Sequence, residues 1–236
     1  ALFAVLVLLV PAMARRRIRI ARSGLLRPVL YFPALGLGFL FIEIALIEKA
    51  SLWLNDRTSG FALVLTGMLV FSGIGSMAAD RLAGRARMSL TVAGGLVLVW
   101  CAAVAAGLPP AILATLDWPW AARVALLTLV LAPASLAMGL PFPLGLSAIG
   151  EGAELAWAWG LNGAFSVLAT PLAHLVAREW GFHTVILAAA LLYLLAVASF
   201  PAAPAAVLRS AHSRTESPAQ QSRIGLEGSV VHRESV

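Results

Sequence analysis

This sequence has few charged residues and a single cysteine. Only 12% of its 236 residues are charged, and 61% are hydrophobic, whereas an average soluble protein carries about 25% charged residues. This composition excludes an ordinary soluble domain. The lone Cys101 excludes a disulfide framework and a cysteine-based metal site, and it leaves the redox compartment undetermined.

Lysine is also nearly absent, because Lys49 is the only one among 17 basic residues. The net charge of +6 would suit nucleic acid, but the arginines occur in short stretches between apolar runs. Such spacing is typical of membrane topology rather than of a nucleic-acid footprint. We therefore predict a polytopic membrane protein whose partner is the lipid bilayer, with no nucleic acid bound.

Apolar runs of helix length dominate the chain. A helix needs about 20 apolar residues to cross a bilayer, and these runs predict an all-α transmembrane helix bundle of about seven spans. The transmembrane helical domain is expected at residues 1–200, followed by a disordered cytoplasmic tail at 201–236. The expected spans are approximately Ala1–Met13, Val29–Ile47, Gly60–Ala79, Ser89–Leu108, Trp120–Leu140, Trp157–Val176 and Thr184–Phe200.

Polar residues and prolines set the expected ends of the spans. The second span should end in a polar loop that starts at Glu48 and Lys49, and the fourth at Pro109 and Pro110. A second proline pair, in the motif MGLPFPLG, should break the fifth span. The first span is short and starts without a methionine, so we interpret the sequence as a fragment cut within a transmembrane helix.

The basic residues predict an orientation. Of the 17, 13 fall on one side of the seven expected spans, in residues 15–27, 80–88 and the tail. The other four are Lys49, Arg57, Arg123 and Arg178. The positive-inside rule places the first side, and with it the C-terminus, in the cytoplasm. The preference for arginine, alanine and glycine favours a bacterial source, and hence a multi-pass protein of the bacterial inner (plasma) membrane.

Glu43 lies near the middle of the apolar run Tyr31–Ile47. An acid inside such a run is costly and usually faces other helices, a cavity or a partner. Gly36, seven residues earlier, is on the same helix face and would let another helix approach. A proton or cation site is one interpretation of Glu43, and a structural carboxyl group, protonated or paired, is the other. Glu48 is expected at the membrane interface.

Four polar side chains recur at every fourth position of the sixth span. They are Asn162, Ser166, Thr170 and His174, which we call the polar stripe. Small residues follow the same spacing on an adjacent face, at Ala156, Gly160 and Ala164, and predict close packing there. Either a polar lining for a solute path or interhelical hydrogen bonds would produce this stripe. His174 shows no ligand spacing with the other histidines, so no metal site is expected.

No catalytic motif stands out in this segment. Residues 73–78, GIGSMA, match the form of a dinucleotide-binding fingerprint, but they end an apolar run where that motif requires a preceding strand. We interpret Gly75 and Ala79 as a close helix contact instead, and Trp157 and Trp159 as interfacial anchors. No nucleophile triad, phosphate-binding loop or paired carboxylates can be assembled, and no cofactor is expected in this segment.

Three groups of motifs resemble a known family. They are YFPALGLGFLFIEIALIEKASLWL with FSGIGSMAADRL, MGLPFPLGL, and WAWGLNGAFSVLATPLA. In order and spacing they resemble the C-terminal membrane domain of large bacterial integral membrane spermidine synthase-like proteins. The resemblance covers about residues 1–200.

The resemblance implies a fused N-terminal aminopropyltransferase-like or methyltransferase-like domain that would hold the catalytic residues, none of which lie in this segment. Whether the whole protein is an enzyme therefore stays open. The positions that match the family motifs are Gly36, Gly38, Glu43, Gly73, Gly75, Gly139, Pro141, Pro143, Trp159, Gly160, Asn162 and Gly163.

The preferred hypothesis is a membrane domain that anchors such a synthase-like domain and moves or senses a small substrate or product of it. Glu43 and the polar stripe would then bind an amine or a proton. One alternative is an autonomous transporter or permease for a small cationic solute, against which the lack of a clear internal repeat counts. The other is a purely structural anchor. The oligomeric state does not follow from the sequence.

Overall fold

A computed structural model describes residues 26–150 and 153–201, and every regular element in these ranges is helical. The fold class is therefore all-α, as predicted. The elements are α1 Leu26–Leu54, α2 Arg57–Met77, α3 Ala79–Leu82, a 3₁₀ turn Ala83–Arg85, α4 Ala86–Ala114, α5 Trp120–Met138, α6 Pro141–Ile149, α7 Ala153–Trp180 and α8 Phe182–Ala198.

Five segments are long and apolar enough to cross a membrane. They are Leu26–Leu54, Arg57–Met77, Ala79–Ala114, Trp120–Ile149 and Glu154–Trp180, and the apolar α8 is shorter, at 17 residues. Six of the expected spans thus correspond to helices. The expected span Ala1–Met13 and nearly all of the expected tail lie outside the described residues.

Helix α1 is the centre of the bundle. It packs most extensively against α7, α8 and α2. In its most apolar stretch of 18 residues, 67% of the residues are buried, whereas the corresponding share is 22% in α2 and 28% in the segment that contains α4. Three of its large aromatic side chains, Tyr31, Phe32 and Trp53, are fully buried. A helix that is apolar on every face suits this central position.

The turn between α1 and α2 is shorter than the sequence predicted. Helix α1 continues through Glu48 and Lys49 to Leu54, so these two charged residues lie in the helix rather than in a loop. Only two residues then separate α1 from α2. Asn55 adopts a left-handed φ of 54°, and the side chain of Asp56 caps α2 by accepting hydrogen bonds from its first turn.

Helix α4 does not end at Pro109 and Pro110, and that prediction was wrong. The helix runs through both prolines to Ala114. Its last turn is held by Thr115, whose hydroxyl donates to the carbonyl of Ala111 at 2.8 Å and accepts a hydrogen bond from the indole of Trp53 at 2.8 Å. One local and one tertiary hydrogen bond thus hold this end, and the missing proline N–H groups do not terminate the helix.

The predicted break after α5 is confirmed. Helix α5 ends at Met138, Gly139 and Leu140 form a turn, and α6 begins at Pro141. Proline suits the first position of a helix, where its missing N–H would have no partner anyway.

Two glycines bring α2 and α5 into backbone contact. A Cβ atom on Gly75 would overlap the carbonyl oxygen of Leu136, and a Cβ atom on Gly139 would overlap that of Ser72. The contact is therefore reciprocal, since each helix supplies one glycine and one carbonyl. It confirms that Gly75 is a packing residue within a helix and not part of a nucleotide-binding loop.

Candidate functional site

Glu43 lies inside the bundle, near the middle of the central helix. Its side chain is only 7% exposed. Within the described part of the chain, no side chain or backbone group donates a hydrogen bond to its carboxyl group and no basic side chain forms a salt bridge with it. An isolated ionised carboxylate at such a position costs several kcal/mol. The carboxyl group therefore suits a bound proton or another small cation.

Helix α7 approaches α1 at Gly36, which lies on the same helix face as Glu43. At Gly36, a Cβ atom would lie 2.5 Å from the backbone oxygen of Asn162 and 2.8 Å from the hydroxyl of Ser166. The amide of Asn162 also donates to the carbonyl oxygen of Phe32 at 3.1 Å. The prediction that Gly36 admits another helix is confirmed, and Asn162 makes an interhelical hydrogen bond.

The polar stripe divides into two pairs in the structure. Asn162 and Ser166 are half-buried against α1, whereas Thr170 and His174 are exposed. Each step of four residues turns a helix by about 40° beyond a full turn, so the stripe winds away from α1. The fully buried positions of α7 in this part are Ala169 and Ala173.

Glu43 is also separated along α1 from Asn162 and Ser166. Gly36, which touches Asn162 and Ser166, is seven residues from Glu43, a rise of about 10 Å along the helix. The structure therefore brings two residues of the polar stripe to the central helix but does not gather all five predicted residues into one cluster. Glu43 stays the strongest single candidate.

The prediction of close packing at Gly160 was wrong for the part of the chain that the structure describes. Gly160 and Gly163 are exposed, and a Cβ atom on either would meet no described atom within 4 Å. Trp159 is 58% exposed, and its ring packs edge to face on Phe142 with centroids 4.7 Å apart. Gly73 is open in the same way, although it belongs to a family motif.

Tyr31 links α1 to the break between α5 and α6, and sequence reasoning missed it. Its buried hydroxyl donates to the carbonyl of Pro141 at 2.6 Å. Its ring lies so close to Gly145 that a Cβ atom there would overlap it, and it packs edge to face on Phe200. The available signal was a rare tyrosine in an apolar run, because a buried tyrosine hydroxyl usually requires a hydrogen-bond partner.

The motif stretches that carry the family resemblance contact one another. Tyr31 donates a hydrogen bond to Pro141, Phe142 packs edge to face on Trp159, and Asn162 donates a hydrogen bond to α1. The reciprocal glycine contact joins α2 to α5 within the same motifs. Residues far apart in the sequence thus form one packed region around the first part of α1.

A second polar cluster lies at the other end of α1, and it too was missed. The indole N–H of Trp53 donates to Thr115, and Nη1 of Arg123 donates to the backbone carbonyl of Trp53 at 2.6 Å. That carbonyl belongs to the last turn of α1, where carbonyls have no helical partner and a cation is favourable. Arg123, counted in the sequence only as a topological charge, therefore caps the central helix.

The structure shows no metal centre in the ranges it describes, where no group of three or more His, Cys, Asp or Glu side chains is placed to hold an ion. Cys101 is a free, buried thiol on α4.

A scan against protein-family models and searches of curated proteins and of solved structures found no match to this chain.

Proposed function

We propose that this chain is the membrane domain of a spermidine synthase-like integral membrane protein, and that Glu43 binds a small cation, either an amine or a proton. In this function the helix bundle anchors the synthase-like domain and moves or senses its small basic substrate or product. The observation that carries the proposal is a glutamate only 7% exposed in the middle of the central helix, with no hydrogen bond or salt bridge to its carboxyl group in the described part of the chain.

The chemistry of Glu43 favours a cationic ligand. A carboxylate inside an apolar bundle is stabilised by a proton, a metal cation or an organic ammonium group, and an anion would add to the unfavourable charge. A primary amine can also donate hydrogen bonds to both carboxylate oxygens.

The anchoring part of the proposal rests on the motifs and on the packing. The stretches that resemble the synthase-like family form the contacts around Tyr31, Gly36 and Gly75, whereas the motif positions Gly73, Gly160 and Gly163 meet no described atom, so part of the motifs coincides with the packed part of the bundle. A domain stabilised in this way would hold a fused or associated soluble domain at the membrane.

Flux through the full-length protein tests the proposal. Radiolabelled spermidine uptake and efflux would be measured in cells that express wild type, Glu43→Gln or Glu48→Gln at matched membrane levels. Glu48 is the matched control, because it is a half-buried carboxylate five residues along the same helix. We expect Glu43→Gln to reduce flux strongly and Glu48→Gln to preserve most of it.

Two results would contradict the proposal in different ways. If spermidine flux is present but equal in wild type and Glu43→Gln, the protein transports without Glu43. If no variant moves or binds spermidine and Glu43→Gln changes only thermal stability, the domain is a structural anchor and Glu43 is a buried structural carboxyl group.

A further inference from the structure

A groove of about 350 Å³ runs between α4 and α5 and is closed on one side by Trp53 of α1. Its walls consist of apolar residues, among them Trp100, Val104, Gly107 and Leu126. The groove opens to the outside of the bundle, and several neighbouring residues of α4, including Val99 and Leu113, are exposed. It is therefore a lateral groove that a molecule in the bilayer can enter.

The length of the groove matches one leaflet of a bilayer. Its lining on α4 extends from Trp100 to Ala111, a distance of about 16 Å along a helix with a rise of 1.5 Å per residue. The hydrocarbon depth of one leaflet is about 15 Å, half of the full core. An extended acyl chain would therefore lie along the groove without leaving the hydrocarbon layer.

A cationic side chain lies at one end of this apolar groove. Arg123 precedes the lining residues Leu126 and Val130 by three and seven positions, so all three share one face of α5. Its Nη1 donates to the carbonyl of Trp53, another lining residue. Its Nε is buried and has no hydrogen-bond partner within the described residues. The side chain is only half-buried, so part of it reaches the surface.

The surroundings of Arg123 indicate the headgroup level of the membrane. Trp118 and Trp120, in the connection between α4 and α5, are exposed, and exposed tryptophans are typical of the membrane–water interface. Asp56, three residues after Trp53, and Asp117, six residues before Arg123, are also exposed, and neither forms a salt bridge with Arg123 in the described structure. No described carboxylate therefore neutralises the guanidinium group of Arg123, which can bind an anionic ligand at the interface.

We propose that the α4–α5 groove binds one anionic phospholipid, with the headgroup phosphate at Arg123 and an acyl chain between Trp53 and Trp100. A guanidinium group binds phosphate through charge-assisted hydrogen bonds, and the apolar walls cover a chain that would otherwise pack only against other lipids. This site is independent of Glu43. Its occupant would bridge the ends of α1, α4 and α5 and stabilise their contact.

Purified protein in detergent provides the test, with added dioleoylphosphatidylglycerol as the anionic probe and dioleoylphosphatidylcholine as the zwitterionic one. Native mass spectrometry counts the retained lipids, and thermal unfolding measures their effect. We expect the anionic lipid to be retained as a single molecule and to raise the melting temperature more than the zwitterionic lipid does.

Two glycines of α4 provide a matched pair of variants. Gly107 lines the groove, whereas Gly95 lies outside it, and a Cβ atom on either would meet no described atom within 4 Å. Gly107→Leu fills the groove and should weaken retention of the anionic lipid about tenfold, a loss of about 1.4 kcal/mol. Gly95→Leu adds the same side chain to the same helix and should retain the lipid as wild type does.

A third variant tests the headgroup contact. Arg123→Gln should abolish the preference for the anionic lipid. The rise in melting temperature caused by lipid is measured from each protein's own lipid-free value, because the substitution also removes the cap of α1. The proposal is overturned if wild type shows no preference between the two lipids, or if Gly107→Leu and Gly95→Leu retain the lipid equally. It is also overturned if Gly107→Leu disrupts a complex between protein chains and lipid has no effect, since the groove would then be a protein interface.

Discussion

The hydroxyl of Tyr31 donates a hydrogen bond of 2.6 Å to the backbone carbonyl of Pro141, and both residues are buried. The bond connects the first part of the central helix to the first residue of α6, 110 positions later. Because α6 starts directly after the turn that follows α5, this contact fixes the position of that turn inside the bundle.

Removing this hydroxyl should destabilise the bundle. Tyr31→Phe removes the hydroxyl that donates to the carbonyl of Pro141, at an expected cost of about 0.5–1.5 kcal/mol, because that carbonyl, in the first turn of α6, also accepts a hydrogen bond within its own helix. Chemical or thermal unfolding in detergent measures the change. Tyr193→Phe is the control, since Tyr193 is equally buried and its hydroxyl has no described hydrogen-bond partner. Equal losses of stability in the two variants would contradict a specific role for the Tyr31 bond.

The reciprocal glycine contact between α2 and α5 predicts a large effect from one methyl group. Gly75→Ala should force the two helices apart and destabilise the protein by about 1–3 kcal/mol, as overpacking does. Gly73→Ala, two residues away on the same helix, places its methyl group in open space and should be neutral or stabilising because alanine favours the helix. The melting temperatures of the two variants test this prediction. If Gly75→Ala is as stable as Gly73→Ala, the contact between α2 and α5 is not tight.

The hydrogen bond between Trp53 and Thr115 should contribute more to the free energy of unfolding than a hydrogen bond within a single helix does. Thr115→Val keeps the shape of the side chain but leaves the indole N–H of Trp53 without an acceptor, at a cost of about 1–3 kcal/mol. Thr128→Val is a suitable comparison, because the hydroxyl of Thr128 bonds only to the carbonyl of Val124 on its own helix. A double-mutant cycle with Trp53→Phe would measure the coupling, and a coupling energy near zero would refute this account.

Asp56 should contribute a pH-dependent term to stability. The hydroxyl of Ser59 and the backbone N–H of Thr58 donate to its carboxylate, and these hydrogen bonds lower the pKa of Asp56. Stability from a lowered carboxylate pKa is present above the unfolded value, about 4, and is lost as the pH falls through the folded value.

Melting temperatures measured from neutral to strongly acidic pH would reveal this term. Asp56→Asn keeps a capping side chain but cannot titrate, so its melting temperature should fall less steeply with acid than that of wild type. Ser59→Ala removes the donor that lowers the pKa of Asp56 most. The stability contributed by Asp56 should then be lost at a higher pH than in wild type. Parallel acid profiles for all three proteins would argue against the cap.

The fold class and most helix positions were predictable because they depend on local composition. Apolar runs of sufficient length predict helices in any surroundings, and the proline motif at Pro141 predicts a break. The end of α4 was not predictable from the local sequence, because the residue that follows it, Thr115, is held by a hydrogen bond from Trp53, 62 positions away. Contacts of this kind leave no mark in the local sequence.

The helix faces were only partly predictable, and two glycines illustrate the reason. Gly75 and Gly160 both lie at small-residue spacings, yet Gly75 contacts another helix and Gly160 meets no described atom. In a membrane, lipid and protein surroundings are equally apolar, so hydrophobic pattern does not distinguish a packed face from an exposed one. The same ambiguity explains why Thr170 and His174 were grouped with Asn162.

The most direct test of the central claim is an infrared titration of the Glu43 carboxyl group in the purified protein, reconstituted in nanodiscs. The signal is obtained as the difference between wild type and Glu43→Gln, and Glu48→Gln serves as the control. If Glu43 is the cation site, the difference spectrum should show a protonated carboxyl band that is replaced by a carboxylate band when spermidine or another small cation binds. A carboxyl band that neither an added cation nor a change of pH alters would contradict the claim and identify Glu43 as a structural residue.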